Sequence, residues 1–415
     1  MKIKKATMFL LLGVITAVQL ISGSSTAQAD SGSWQKAVVI QPRWNTDYSS
    51  ESFKQSVKKA VDSGANYINL VIPVHQTNIY STDVQKGNDT PTDQSLADAS
   101  AYIHSLGVKM AVSIHNNPYD GQWRALINPG DRASWFNNYG AITNYYADLG
   151  KRIGIDEIVL GTEMSNMTGA NYNASNTGYW NTLIQNVRNR YNGKITYSSQ
   201  HDGYMSDTST IAFWDKLDYI GVSAYYGMGS GSPSVEAMKG RWNEINMNTL
   251  RNVSNRTGKQ VLFTEIGYQS KTNSVQDPGS AYSQSGSYDP QLQANAYRAL
   301  MEYWNDYNYF AGVSWWDWSS DPNAGGNNDV NYTPQNKPAE AVMKEWFTRG
   351  GSTTPPVTPP TPANYSSSAT VNGTLQVNQA MNISVRVAAT QQLNNATIDV
   401  EVYAANGQRV NQTVY

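Results

Sequence analysis

Two glutamates in this 415-residue chain stand where a buried strand would deliver them to a shared cleft. In Val261-Leu-Phe-Thr-Glu265-Ile-Gly-Tyr268, four apolar or β-branched residues run straight into a carboxylate, followed by Gly and an aromatic. Roughly a hundred residues upstream, Ile158-Val-Leu-Gly-Thr-Glu163-Met repeats the pattern. Apolar runs of this length read as strands buried on both faces. A single glutamate at a strand end is most simply a solvated residue or half of an ion pair. Two such glutamates, each closing an apolar strand, have the composition of an acid paired with a nucleophile or base. That chemistry cleaves glycosidic bonds: one carboxyl protonates the leaving oxygen, and the other attacks the anomeric carbon or activates water. A separation of ~5–5.5 Å gives retention and ~6.5–9.5 Å inversion.

Positioning two carboxylates in this way requires a repeated scaffold, and the sequence supplies one. Strand-like runs at 36–40, 67–74, 108–114, 158–161, 194–198, 219–223, 260–263 and 312–316 alternate with helical spacing at 51–63, 92–106, 134–153, 179–191, 211–216, 234–256, 291–304 and 338–347. Thr92 is placed to cap its helix, and Gly64 and Gly107 to stop theirs. Eight strand–helix units in series predict a single (β/α)₈ TIM barrel, whose catalytic groups sit at the C-terminal strand ends. An open doubly wound sheet would want a glycine-rich phosphate turn after the first strand, and there is none.

The strand-end rule yields further candidates for holding a sugar. Tyr225 and Tyr226 follow the sixth strand, and Tyr225 is the better placed to bond a carboxylate and hold its pKa down. Trp315 and Trp316 end the eighth strand; alternation sends one into the cleft as a floor for a pyranose ring and the other into the barrel wall. His75, His115 and Asn116 close strands two and three, and Trp123 and Arg124 follow the third. The histidines lack acidic or thiolate companions at metal-ligand spacing, so hydroxyl contacts are expected and no metal or cofactor. Arg43 and Trp44, after the first strand, are further candidates.

Lys2, Lys4 and Lys5 precede an apolar run from Met8 to Ile21 and then Ala27-Gln-Ala29. This predicts a secretory leader over residues 1–29, cut after Ala29, and hence a secreted chain with no membrane attachment after cleavage. With no cysteine there are no disulfides or thiolate metal sites. A formal net charge of −2 offers nothing to nucleic acid, whereas 12 Trp and 27 Tyr against 15% charged residues suit a neutral hydroxyl-rich ligand. The catalytic domain is expected over 30–350, a Pro/Thr-rich spacer over 351–363, and a partial β-sandwich accessory module over 364–415, with strands at 369–377, 382–388 and 396–403 and a turn at Asn406-Gly407. The sandwich is about half the usual length, and cell-wall association through this region is the expectation. The expected partner is a polysaccharide or oligosaccharide, met by a monomer.

Four segments together carry a specific resemblance. Leu160-Gly-Thr-Glu163-Met, Trp180-Asn-Thr-Leu-Ile184 with Val187, Arg188 and Tyr191, Leu217-Asp-Tyr-Ile-Gly-Val-Ser-Ala-Tyr-Tyr226, and the Val261–Tyr268 segment occur in the order found in glycoside hydrolase family 113. The similarity runs from about Trp34 to Phe347. It implies a retaining (β/α)₈ enzyme, typically an endo-β-1,4-mannanase, with Glu163 as acid/base and Glu265 as nucleophile. The chain departs from the wider clan at Thr162, where Asn commonly contacts the sugar 2-hydroxyl. That departure bears on substrate identity, leaving a glucan, an amino-sugar exopolysaccharide or a cell-wall glycan as alternatives to mannan. A non-catalytic carbohydrate-binding barrel is the reading from another class.

Overall fold

The computed structural model describes residues 17–21, 34–168, 176–201, 205–280, 285–349, 365–372, 382–389, 397–403 and 409–414. Within the unit Ala29–Ser352, eight parallel strands close on themselves: β1 Gln35–Ile40, β2 Tyr67–Gln76, β3 Lys109–Pro118, β4 Glu157–Thr162, β5 Lys194–Gln200, β6 Ile220–Ser223, β7 Val261–Ile266 and β8 Phe310–Trp315. Each pairs with the next, and β8 pairs with β1. The barrel is the predicted one. All six residues of β4 and of β7 are buried, as expected for parallel strands walled by helices on the outside and side-chain layers within.

Closure depends on a backbone approach that only glycine permits. Gly312 in β8 has φ +142°, and a Cβ there would lie 2.2 Å from the carbonyl oxygen of Gln35 in β1. Five of the helices begin within two residues of their expected starts. Ser50, Thr92, Asp131, Ser234 and Asp289 each accept the third helical N–H, satisfying donors the helix itself leaves unpaired.

Two strands and two helices differ from expectation. The strands β2 and β3 run on to Gln76 and Pro118, carrying their polar ends up to the rim. The helix expected over 234–256 is broken by a π turn at Asn246–Leu250 between Val235–Ile245 and Arg251–Thr257. Asn246 is buried there, tied to the phenols of Tyr303 and Tyr309. The helix expected at 211–216 is a single 3₁₀ turn, Trp214–Lys216.

The second unit contains two antiparallel ladders. One joins Tyr365–Asn372 to Asn382–Ala389; the other joins Thr397–Tyr403 to Arg409–Val414 and to Ala17–Ile21. The last strand was not foreseen, and the first lies four residues earlier than expected. The spacer, the Asn406-Gly407 turn and the remainder of the leader lie outside the described residues.

Candidate active site

A cleft of about 640 Å³ opens at the C-terminal ends of the strands, and both Glu163 and Glu265 line it. The residue after β4, Glu163, takes φ +52°, a left-handed conformation costly for a side-chain-bearing residue and characteristic of functional sites. Two hydrogen bonds hold this turn: the Glu163 N–H donates to the Ser198 carbonyl at 2.8 Å, and the Met164 N–H donates to the Tyr197 hydroxyl at 2.7 Å. The neighbouring strand β5 thus aims the carboxylate inward. Its Oε2 accepts from the indole Nε1 of Trp123 at 3.2 Å. Indole only donates, so a proton on this carboxyl belongs on Oε1.

Glu265, in β7, is buried, with a phenol at one oxygen and an imidazole near the other. The Tyr225 hydroxyl donates to Oε1 at 2.7 Å, and His115 Nε2 lies 3.5 Å from Oε2. Burial raises this carboxyl to about 8, and the Glu163 charge pushes the same way, while Arg124 and the Tyr225 hydrogen bond oppose them. Burial alone would make Glu265 the protonated member of the pair. The Tyr225 hydrogen bond and the Arg124 charge favour the ionised form, and Tyr225 stays the proton donor because its own ionisation is driven well up by burial and by Glu265. Behind the pair, burial lifts Asp317 to about 6. On the Glu163 side, burial raises Asp207 to about 7; it accepts from the Thr168 hydroxyl and, at 2.8 Å, from the Gln200 N–H.

Of the other expected residues, Trp316, Trp123, Arg124 and Tyr225 line the cleft. Trp316, 9% exposed, stacks on His115 with ring centres 5.9 Å apart. Trp123 is 40% exposed, its ring presented to the opening beside Glu163. His115 stands directly behind the cleft wall.

Five expected site residues are elsewhere. Trp315 points outward, fully buried, and stacks on Tyr297 at 3.6 Å. Strand alternation sends the tryptophans to opposite faces, and Trp316 is the one that faces the cleft. Asn116 alternates with His115 in the same way; its amide donates to Gln76 Oε1 at 2.7 Å, an oxygen that also accepts from Trp135 Nε1. It therefore ties β3 to β2 and to the helix Arg132–Ile153. His75 bonds the Asn117 carbonyl and Asp89 and stacks on Tyr119, bracing the rim outside the cleft. Arg43 and Trp44 are likewise outside: Arg43 pairs with Asp47 at 2.7 Å and covers the Trp44 ring.

Gln41, Gln200, His201, Met205, Asp277, Gly279, Ser280 and Tyr332 complete the lining. Gln41 and Gln200 follow or end strands β1 and β5, so the strand-end rule could have found them. Asp277, Ser280 and Tyr332 come from long loops after β7 and β8 with no such signal. Among the described residues no group of His, Cys, Asp or Glu is arranged to hold a metal ion, and no helix is long and apolar enough to cross a membrane.

A closed parallel barrel bearing two carboxylates, one just after β4 and one in β7, in a single cleft that Trp316 also lines, is the architecture of a glycoside hydrolase. The sequence model of Glycoside Hydrolase Family 113 matches residues 41–348, and the chain belongs to that family. Solved structures with the same barrel include a GH113 β-1,4-mannanase complex, 24% identical, TM-score 0.66, covering 76% of this chain and 99% of that one. The GH113 β-mannanase AaManA from Alicyclobacillus acidocaldarius in complex with ManMIm is 24% identical, TM-score 0.65, covering 76% and 97%. A β-glucuronidase from Ruminococcus gnavus shares the fold more distantly, at 12% identity and TM-score 0.50 over 81% of this chain and 53% of that one. No curated protein sequence matches the chain.

Proposed function

We propose that this glycoside hydrolase cleaves internal β-1,4 bonds of a mannan-type polysaccharide with retention of configuration. The observation that carries the mechanism is the asymmetry of the two carboxyls within one cleft. Glu265 accepts a hydrogen bond from the Tyr225 hydroxyl at Oε1, with the His115 imidazole beside Oε2, the environment of an ionised nucleophile. Among the described residues Glu163 accepts a hydrogen bond at Oε2 only, leaving Oε1 to carry the proton for the leaving group. Glu265 then attacks the anomeric carbon, the bond to the leaving oxygen breaks as Glu163 protonates it, and a glycosyl-enzyme forms. Glu163, now ionised, takes a proton from water as it attacks that intermediate. Trp316 supports the ring held at Glu265, and Trp123, beside the acid, supports the leaving-group sugar through an exposed aromatic face.

Mannan as substrate is supported by family membership and by what the similar structures are named for. Another β-linked glycan is favoured by one observation. Thr162 is buried with its hydroxyl unpartnered among the described residues, and it is not part of the cleft lining. A 2-hydroxyl contact from that position, which would read mannose against glucose, is therefore not built in. Purified chain tested on mannan, glucan, amino-sugar and cell-wall polymers, with Glu163→Gln as control, separates the two. Mannooligosaccharides released from mannan carry the first reading; inertness on mannan with activity elsewhere carries the second. We also propose export, with cleavage after Ala29, and a monomeric enzyme working outside the cell, held at the wall through its C-terminal region. N-terminal sequencing of the culture-medium protein and its mass in solution test this, and a retained Met1 or a dimer would refute it.

A further inference from the structure

We propose that Arg124 is a positioning residue that fixes the tautomer of His115, so that the ring presents Nε2–H to the nucleophile and holds it ionised. This rests on Glu265 being the nucleophile. Arginine has donors and no acceptor, and its Nη1 lies 3.2 Å from His115 Nδ1. That nitrogen must therefore offer its lone pair. Burial, with the Arg124 charge adding to it, drives the imidazole well below its ordinary pKa, so the ring is neutral and carries one proton. With Nδ1 committed to Arg124, the proton sits on Nε2, which faces Glu265 Oε2 at 3.5 Å. That is long for a hydrogen bond, and contacts of this kind in unliganded enzymes tighten when substrate binds.

The arrangement is over-determined. The Arg124 Nη2 donates to Asn117 Oδ1 at 2.8 Å, fixing the guanidinium as a fork, and the Trp316 face holds the ring plane. The opposite tautomer would turn a lone pair toward a carboxylate already made costly by burial. Among the described residues, the charged and titratable groups around Glu265 are Glu163 after β4, Tyr225 after β6, Asp317 after β8, and Arg124 with His115 from β3 and its loop, with His201, Asp277 and Tyr332 further round the cleft. Arg124 is the cation among them, and it acts both by its field and through the imidazole. Its neighbour Trp123 holds Glu163. One 3₁₀ turn, Arg124–Leu126, with the residue capping it, thus reaches both carboxyls, and nothing in the residue types of this loop announces that role.

The test is ¹⁵N NMR of the imidazoles in the full chain, which has only four histidines, with His115 assigned from the spectrum of His115→Gln. In the wild type His115 should be neutral and protonated at Nε2. Arg124→Met should move the proton to Nδ1 or give a mixture. It should also lower kcat at pH 6 about tenfold with KM changed less than about threefold, and move the acid limb of kcat/KM up by about one pH unit, the equivalent of that tenfold loss. Arg124→Lys keeps a donor and a charge and should restore the tautomer and most of kcat. An unchanged tautomer and limb in Arg124→Met would overturn the proposal, as would a loss confined to KM. The NMR readout needs no substrate. A tautomer that switches as expected, in a chain that hydrolyses no β-glycan, would leave the Arg124 assignment standing and refute the hydrolase reading instead.

Discussion

Replacing Tyr225 by Phe removes one hydroxyl and leaves the ring, so it isolates the 2.7 Å hydrogen bond to Glu265. Hydrogen bonds to charged partners are worth ~1.5–3 kcal/mol, and one pH unit of pKa corresponds to ~1.36 kcal/mol. The bond favours the carboxylate form, so losing it raises the pKa of Glu265, by about 1–2 pH units on these figures. Both partners are buried, so solvent screening does not erode the effect. The nucleophile must be ionised. Activity therefore falls as pH drops through its pKa, and the acid limb of kcat/KM, which reports the free enzyme, must move to higher pH. Because the carboxyls interact, that limb is a property of the pair. Below the limb, kcat/KM should fall about 10–100-fold relative to wild type. The assay is initial rate on a soluble oligosaccharide across pH 4–10, alongside thermal melts to confirm folding. A variant with its acid limb where the wild type has it, or lower, would refute the assignment of Tyr225 and with it the ionised state of Glu265.

Three further outcomes follow from the same geometry. Glu163→Gln should lose about 10²–10⁴-fold in kcat on natural glycans, the usual worth of a general acid. It should lose far less in glycosylation with an aryl leaving group that departs without a proton, and equal losses on both substrates would contradict an acid role. Trp315→Ala, away from the cleft, should cost ~3–5 kcal/mol in denaturant unfolding with KM of the folded enzyme unchanged; a KM effect without destabilisation would return Trp315 to the site. Asp207→Asn should flatten the pH dependence of stability. The folded carboxyl is raised by burial from 3.8 to about 7, so folding takes up a proton between those values and wild-type stability declines as pH rises through that window. The amide, which has no proton to lose, should show no such decline, and parallel melting curves for the two proteins between pH 4 and 8 would count against it.

The barrel was legible because parallel strands need unbroken apolar runs, and eight of these recur with helical spacing between them. The glutamates were legible for the same reason: Thr264-Glu265 and Thr162-Glu163 interrupt apolarity where the strands reach the rim. What failed was side-chain direction. Trp315 and Trp316 are equal by type, and only the register of β8 with β7 and β1 decides which faces inward. Asn116 and His115 divide in the same way along β3. The break at Asn246–Leu250 was hidden because its cause is tertiary: the Asn246 amide is buried among tyrosines brought from sixty residues away. Asp277 and Tyr332 reach the cleft through loops whose path no local periodicity encodes. The partnership of Arg124 and His115 joins a loop to a strand end nine residues before it, with no motif to mark it.

Covalent trapping tests the central claim most directly. A slow 2-deoxy-2-fluoro glycoside with a good leaving group, incubated with the wild-type chain and followed by proteolysis and peptide mass spectrometry, captures whichever carboxylate attacks carbon. The label is expected on Glu265 alone. A label on Glu163, or steady turnover that never loads the protein and releases sugar of inverted configuration, would contradict the two-glutamate double displacement.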